Sequence, residues 1–212
     1  MKRILFYGDS NTWGDDPDNL GKRHPEGVCW VDQLAHLLPQ SWRLFNEGLC
    51  GRTTAYDIPQ EPGRNGLTYL PVALSTTGPL DLVVLMLGTN DRRFHVSPQE
   101  SALSLERYIH IIRTPALWFS EKTPEILLVA PAPIHKRALD TYYSFFWDKQ
   151  AIADSEQLGI HYQALAEKYH CAFLDCKPVC TPGSDGVHLG ADGHTALAQA
   201  MAHKITDMFQ PA

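Results

Sequence analysis

The sequence predicts a three-layer α/β/α domain built on a parallel sheet, and two patterns carry that expectation. Short apolar runs, of which Leu82-Val83-Val84-Leu85-Met86-Leu87 is the clearest, are continuous rather than alternating, as in strands covered on both faces. Stretches with apolar residues at helical spacing separate these runs, and strands alternating with helices build a wrapped parallel sheet. A length of 212 residues suits one domain with a substantial core. No repeat, low-complexity segment or linker divides the chain, so residues 1–212 are expected to form that one domain.

Ile4-Leu5-Phe6-Tyr7 places a first strand over residues 2–7, which runs into the turn Gly8-Asp9-Ser10-Asn11-Thr12-Trp13-Gly14. Residues 15–29 read as a loop from their Asp, Pro, Gly and Lys content. Trp30, Leu34, Leu37 and Leu38 recur at helical spacing and stop before Pro39. Trp42–Asn46 reads as the second strand, and residues 55–79 as a long irregular connection. After the third strand at 82–87, a helix is expected over about residues 98–113, with Leu103, Leu105, Ile109 and Ile112 facing inward. Ile126-Leu127-Leu128-Val129-Ala130 is the fourth strand, stopped by Pro131. A helix over about residues 150–169, a short strand at Ala172-Phe173-Leu174 and a last helix over about 192–209 complete the pattern. Five strands joined by right-handed crossovers give a flavodoxin-like order, 2-1-3-4-5.

Composition excludes several classes. The formal net charge of −6 argues against a nucleic-acid partner, and no apolar run approaches a membrane span. Lys2 and Arg3 are followed by only four apolar residues before Gly8, too few for a signal-peptide core. Five scattered cysteines, an odd number, are expected as reduced thiols of a cytoplasmic protein. A zinc site at Cys176 and Cys180 lacks a second ligand pair, so no metal is expected.

Ligands of open α/β sheets gather at the carboxyl ends of the strands. Ser10 follows the first strand, Gly51 the second, Asn90 the third, and Asp185 and His188 the fifth. A serine becomes a nucleophile when a base takes its proton, and histidine has the suitable pKa. That histidine needs a partner on its other nitrogen, and Asp185 lies three residues before His188. Acyl transfer also needs donors for the developing oxyanion. The Ser10 and Gly51 backbone N–H groups and the Asn90 amide are of the right kind. A second class of reading is a non-catalytic or cofactor-binding module, in which Ser10-Asn11-Thr12 holds a phosphate; it leaves Asn90, Asp185 and His188 unexplained.

Gly8-Asp9-Ser10, Gly51 within Glu47-Gly48-Leu49-Cys50-Gly51-Arg52-Thr53-Thr54, Gly88-Thr89-Asn90-Asp91 and Asp185-Gly186-Val187-His188 together resemble the four sequence blocks of the SGNH (GDS) hydrolases. The opening and the second block resemble the arylesterase/acyltransferase branch. That resemblance implies a Ser10–His188–Asp185 triad, an oxyanion hole of Ser10, Gly51 and Asn90, no cofactor, and action on small acyl esters with acyl transfer in some members. It also implies a possible homo-oligomer. Cys50 departs from the serine often found at its position, which leaves the Gly51 backbone donor in place.

Trp13 is expected to line the substrate pocket, being tied to Ser10. His95 and His135 follow strand ends and are pocket candidates, but neither has an adjacent carboxylate. His194 reads as structural, and Asp9 as a residue holding its own turn. Asp91 and Arg92 either anchor the Asn90 loop or face solvent. Arg52 is either a loop brace or a contact for an acidic substrate. The aromatic run Tyr142, Tyr143, Phe145, Phe146 and Trp147 fits a pocket wall, a subunit interface or a core-facing helix start.

Overall fold

The computed structural model describes residues 1–118 and 120–210. Five strands, β1 (Arg3–Gly8), β2 (Arg43–Gly48), β3 (Leu82–Met86), β4 (Glu125–Ala130) and β5 (Ala172–Asp175), form one parallel sheet in the order β2-β1-β3-β4-β5. This is the predicted topology. Gly8 pairs with Gly48 on one side and with Met86 on the other. That register ends three neighbouring strands at one level, so the segments carrying Ser10, Gly51 and Asn90 leave the sheet side by side.

The helices are α1 (Ser10–Trp13), α2 (Trp30–Leu37), α3 (Gly66–Thr77), α4 (Pro98–Ile112), α5 (Lys149–Ser155), α6 (Leu158–Tyr169) and α7 (Ala191–Phe209). Successive strand side chains point to opposite faces, and each face has its own core. Leu5, Val83, Leu85 and Leu128 pack with α3, α4 and α6. Ile4, Phe6, Val84 and Leu127 pack with α2 and α7. A smaller cluster of Ile134, Ala138, Trp147, Ala151 and Val187 lies beneath the loops that follow β4 and β5.

Three expectations are corrected. Residues 55–79 are not irregular throughout, because α3 occupies Gly66–Thr77. Pro71 inside that helix masks a pattern in which Leu67, Leu70 and Leu74 are all buried, and the Asn65 side chain caps its start by accepting from the Thr68 N–H. Leu37 and Leu103 face solvent, at 49% and 55% exposure; the inner face of α4 is made by the expected Leu105, Ile109 and Ile112 together with Ala102 and Tyr108. The helix expected over 150–169 is two helices, α5 and α6, parted at Glu156 and Gln157. The aromatic passage before them coils into two short 3-10 turns, Lys136–Asp140 and Tyr142–Phe145.

Candidate active site

The turn after β1 is built by its own side chains. Asp9 Oδ1 accepts the Asn11 N–H at 3.0 Å, the capping bond expected of it, and opens α1 at Ser10. Packing holds this turn from below: a Cβ on Gly48 would lie 2.1 Å from the Trp13 nitrogen, so β2 must end in glycine for α1 to settle on it. Arg52 is buried and donates from Nη1 to the carbonyls of Gly8 (2.9 Å) and Glu47. Its guanidinium lies over the Tyr7 ring at 4.1 Å. It is the loop brace of the two readings.

Ser10, His188 and Asp185 are brought together. His188 Nε2 lies 2.9 Å from Ser10 Oγ, and Nδ1 lies 2.7 Å from Asp185 Oδ2. The other Asp185 oxygen accepts the N–H groups of Val187 and His188, each at 2.8 Å, so the carboxylate is held in line with the ring. Burial opposes charging the imidazole, but the hydrogen bond and charge of Asp185, with Asp15 and Asp9 behind, outweigh it and hold the His188 pKa above the usual histidine range. The neutral ring presents Nε2 as acceptor when Nδ1 donates to Asp185.

Gly51 and Asn90 border the same cleft as Ser10 and His188, a space of about 220 Å³. Gly51 adopts a φ of 76°, a left-handed conformation that suits glycine. Asn90 Nδ2 donates to the Arg52 carbonyl at 3.1 Å, which fixes the amide and leaves its second hydrogen unused. The loop under Asn90 is anchored by Asp91. Its Oδ1 accepts the Thr54 N–H at 2.8 Å, and its Oδ2 accepts the Thr54 and Ser101 hydroxyls at 2.7 and 2.6 Å. Arg92, also buried, donates to the Ser97 carbonyl and to Ser101 Oγ. Asp91 and Arg92 therefore anchor this loop and do not face solvent.

One wall of the cleft is aromatic: Tyr142, Tyr143, Phe146 and Trp147 line it, and the Tyr143 ring meets His188 edge-on at 5.2 Å. Phe145 stays outside, 87% exposed. Trp13, expected on the substrate pocket, has the Arg23 guanidinium of the 15–29 loop over its ring at 5.6 Å. His95 and His135 lie off the cleft. His95 sits 3.7 Å from Asp148, and His135 accepts from the backbone and side chain of Arg137. His194 is buried, accepts the Trp30 N–H on Nδ1, and has its pKa lowered to about 3 by burial and by the neighbouring His24 and His188.

Of the other lining residues, Asp15, Glu61, Arg64 and Arg93 carried no sequence signal. Asp15 and Cys50 border the cleft beside Ser10, and Glu61, Arg64 and Arg93 form a charged group on it. Arg93 donates to Glu61 at 2.7 Å and Arg64 lies 3.9 Å from it. Burial and the adjacent Asp15 push the Cys50 thiol up to about 12, so it stays protonated. Cys176 and Cys180 are buried in the core under α7. Among the described residues, no three His, Cys, Asp or Glu side chains are grouped to hold a metal ion, and no helix is long and apolar enough to cross a membrane.

The family model of the GDSL-like lipase/acylhydrolases matches residues 6–196, and the chain belongs to that family. It is a carboxylic ester hydrolase of the SGNH type. No curated protein matches the sequence. Among solved structures it is similar to a carbohydrate acetylesterase from Sinorhizobium meliloti, with 33% identity over 99% of this chain and 100% of that one and a TM-score of 0.92. A second carbohydrate acetylesterase family member from the same organism is 35% identical over 98% and 99% of the two chains, with a TM-score of 0.88. The M. smegmatis aryl esterase is 33% identical over 99% and 100%, with a TM-score of 0.91.

Proposed function

We propose that the enzyme cleaves small acyl esters through an acyl-enzyme on Ser10. The unbroken line from Ser10 Oγ through the His188 ring to Asp185 is the observation that carries this reading. His188 Nε2 takes the hydroxyl proton as Oγ attacks the ester carbonyl, and Asp185 stabilises the imidazolium that forms. The oxyanion is held by the backbone N–H groups of Ser10 and Gly51 and by the free hydrogen of the Asn90 amide. Collapse returns the proton from Nε2 to the departing alcohol. Water, activated by the same nitrogen, then releases the acid and frees Ser10. No step calls on a metal or an organic cofactor.

A cleft of about 220 Å³ is small beside ordinary ligand pockets, which favours short acyl groups. The solved relatives are named for carbohydrate acetyl esters and aryl esters, and an acetyl group is a short acyl group. The aromatic wall that would pack a leaving alcohol would pack an acceptor alcohol equally, so acyl transfer belongs to the same reading. Hydrolysis of a chromogenic acetyl ester by the wild-type protein and by Ser10→Ala tests it. Loss of at least about a thousandfold in kcat is expected; equal turnover by the two would rule out Ser10 as the nucleophile.

A further inference from the structure

The cleft holds a carboxylate that the acyl-transfer steps do not use. Asp15 is 6% exposed and lines the cleft together with Ser10, Cys50 and His188. Its backbone is fixed to the nucleophile turn, its N–H donating to the Ser10 carbonyl at 3.0 Å. Its backbone also forms an isolated antiparallel β-bridge with Arg23 on the far side of the 15–29 loop. The side chain is only half satisfied. Oδ2 receives the Cys50 thiol at 3.4 Å, a weak donor, and Oδ1, itself buried, has no donor among the described residues. Glu61, the other carboxylate on the cleft, is already taken by Arg93 and Arg64. Burial without a cation holds the Asp15 pKa above its usual value, with the charge of His188 acting in the opposite direction.

The position of Asp15 says which part of a substrate it meets. The departing alcohol receives its proton from His188 Nε2, so the alcohol portion of the ester must lie against that ring. Asp15 and Tyr143 line the cleft together with His188. Tyr143 in turn packs on the His188 ring. An alcohol lying against the His188 ring therefore shares the cleft with Asp15 and Tyr143.

We propose that Asp15 is a specificity-determining residue that accepts a hydrogen bond from a donor on the alcohol portion of the ester, an alkylammonium group above all. The free carboxylate oxygen takes the N–H, the Tyr143 face packs the alkyl groups and adds cation–π attraction, and the Cys50 thiol holds the second oxygen in place. The proposal rests on Ser10 being the nucleophile. A carboxylate here also disfavours esters of anionic alcohols, since two like charges would share a buried space.

Dimethylaminoethyl acetate and isoamyl acetate have the same shape, and only the first is cationic at neutral pH. The experiment measures kcat/KM for both with the wild-type protein and with Asp15→Asn. The ratio of the cationic to the neutral ester is expected to fall about tenfold in the variant, the usual worth of a hydrogen bond to a charged group; an unchanged ratio overturns the proposal. Should Asp15→Asn fail to fold, competition on the wild-type protein decides. Dimethylaminoethanol is expected to inhibit cleavage of a chromogenic acetyl ester at lower concentration than isoamyl alcohol, and equal inhibition overturns the proposal. Persistence of isoamyl acetate cleavage in Ser10→Ala would instead overturn the nucleophile assignment, which the two ratios do not test.

Discussion

Asn11 grips His188 from both sides. Its Nδ2 donates to the Val187 carbonyl at 3.2 Å, and its Oδ1 accepts the Leu189 N–H at 2.9 Å. The residue beside the nucleophile thus fixes the backbone on either flank of the base, tying together two segments at opposite ends of the chain. Asn11→Ala removes both bonds and leaves a buried carbonyl and N–H unpaired, each costing about 1–3 kcal/mol. Kinetics should show kcat falling about tenfold or more, with a smaller change in KM, because the base is displaced while the cleft wall is not. A kcat equal to that of the wild type would show that His188 is held without Asn11.

The pH profile follows from the shifted imidazole. His188 must be neutral to take the Ser10 proton, and its pKa is raised. Activity is therefore lost as pH falls, and the midpoint of kcat/KM should lie above the ordinary histidine value of about 6.5. A rate that stays flat between about pH 5 and 8, or a midpoint below the ordinary value, would contradict the role of His188 as base.

Asp91 is expected to matter for stability more than for chemistry. It is fully buried, accepts three hydrogen bonds, and is the carboxylate nearest the buried Arg92, at 4.0 Å. Asp91→Ala strands that guanidinium and the Thr54 N–H, a loss of about 3–5 kcal/mol by analogy with other broken buried pairs. Urea unfolding measures it directly. A midpoint equal to that of the wild type would mean that solvent reaches this site and satisfies the stranded groups.

Acid stability should depend on His194. Its folded pKa is depressed to about 3, whereas the unfolded side chain titrates near about 6.5. The unfolded state therefore binds a proton that the folded state refuses, and stability falls as pH drops from the unfolded value toward the folded one. The slope from this group approaches about 1.4 kcal/mol per pH unit. His194→Gln should have a shallower acid decline than the wild type in thermal melts at several pH values. Parallel declines would assign the acid sensitivity to other groups.

The strand pattern was legible because a buried parallel strand is a local run of apolar residues, and β1, β3 and β4 each announce themselves that way. Helix α3 was hidden because Pro71 interrupts the reading of a periodicity that packing nevertheless enforces. Leu103 misled for a related reason: an apolar residue within a turn of the true inner face satisfies helical spacing almost as well as Ala102 or Leu105. Trp13 is close to Ser10 in sequence, yet its partner, Arg23, comes from the 15–29 loop and carried no signal of that contact.

The sequence by itself determined the order of the strands and brought Ser10, Gly51, Asn90, Asp185 and His188 to one place, because each follows a strand and parallel strands end on one edge. Only the tertiary structure decided what surrounds them. Asp15 and Cys50, Glu61 with its two arginines, and the Tyr143 wall arrive from loops without periodicity. Where such loops meet depends on packing across the whole sheet edge, which no short stretch of sequence records.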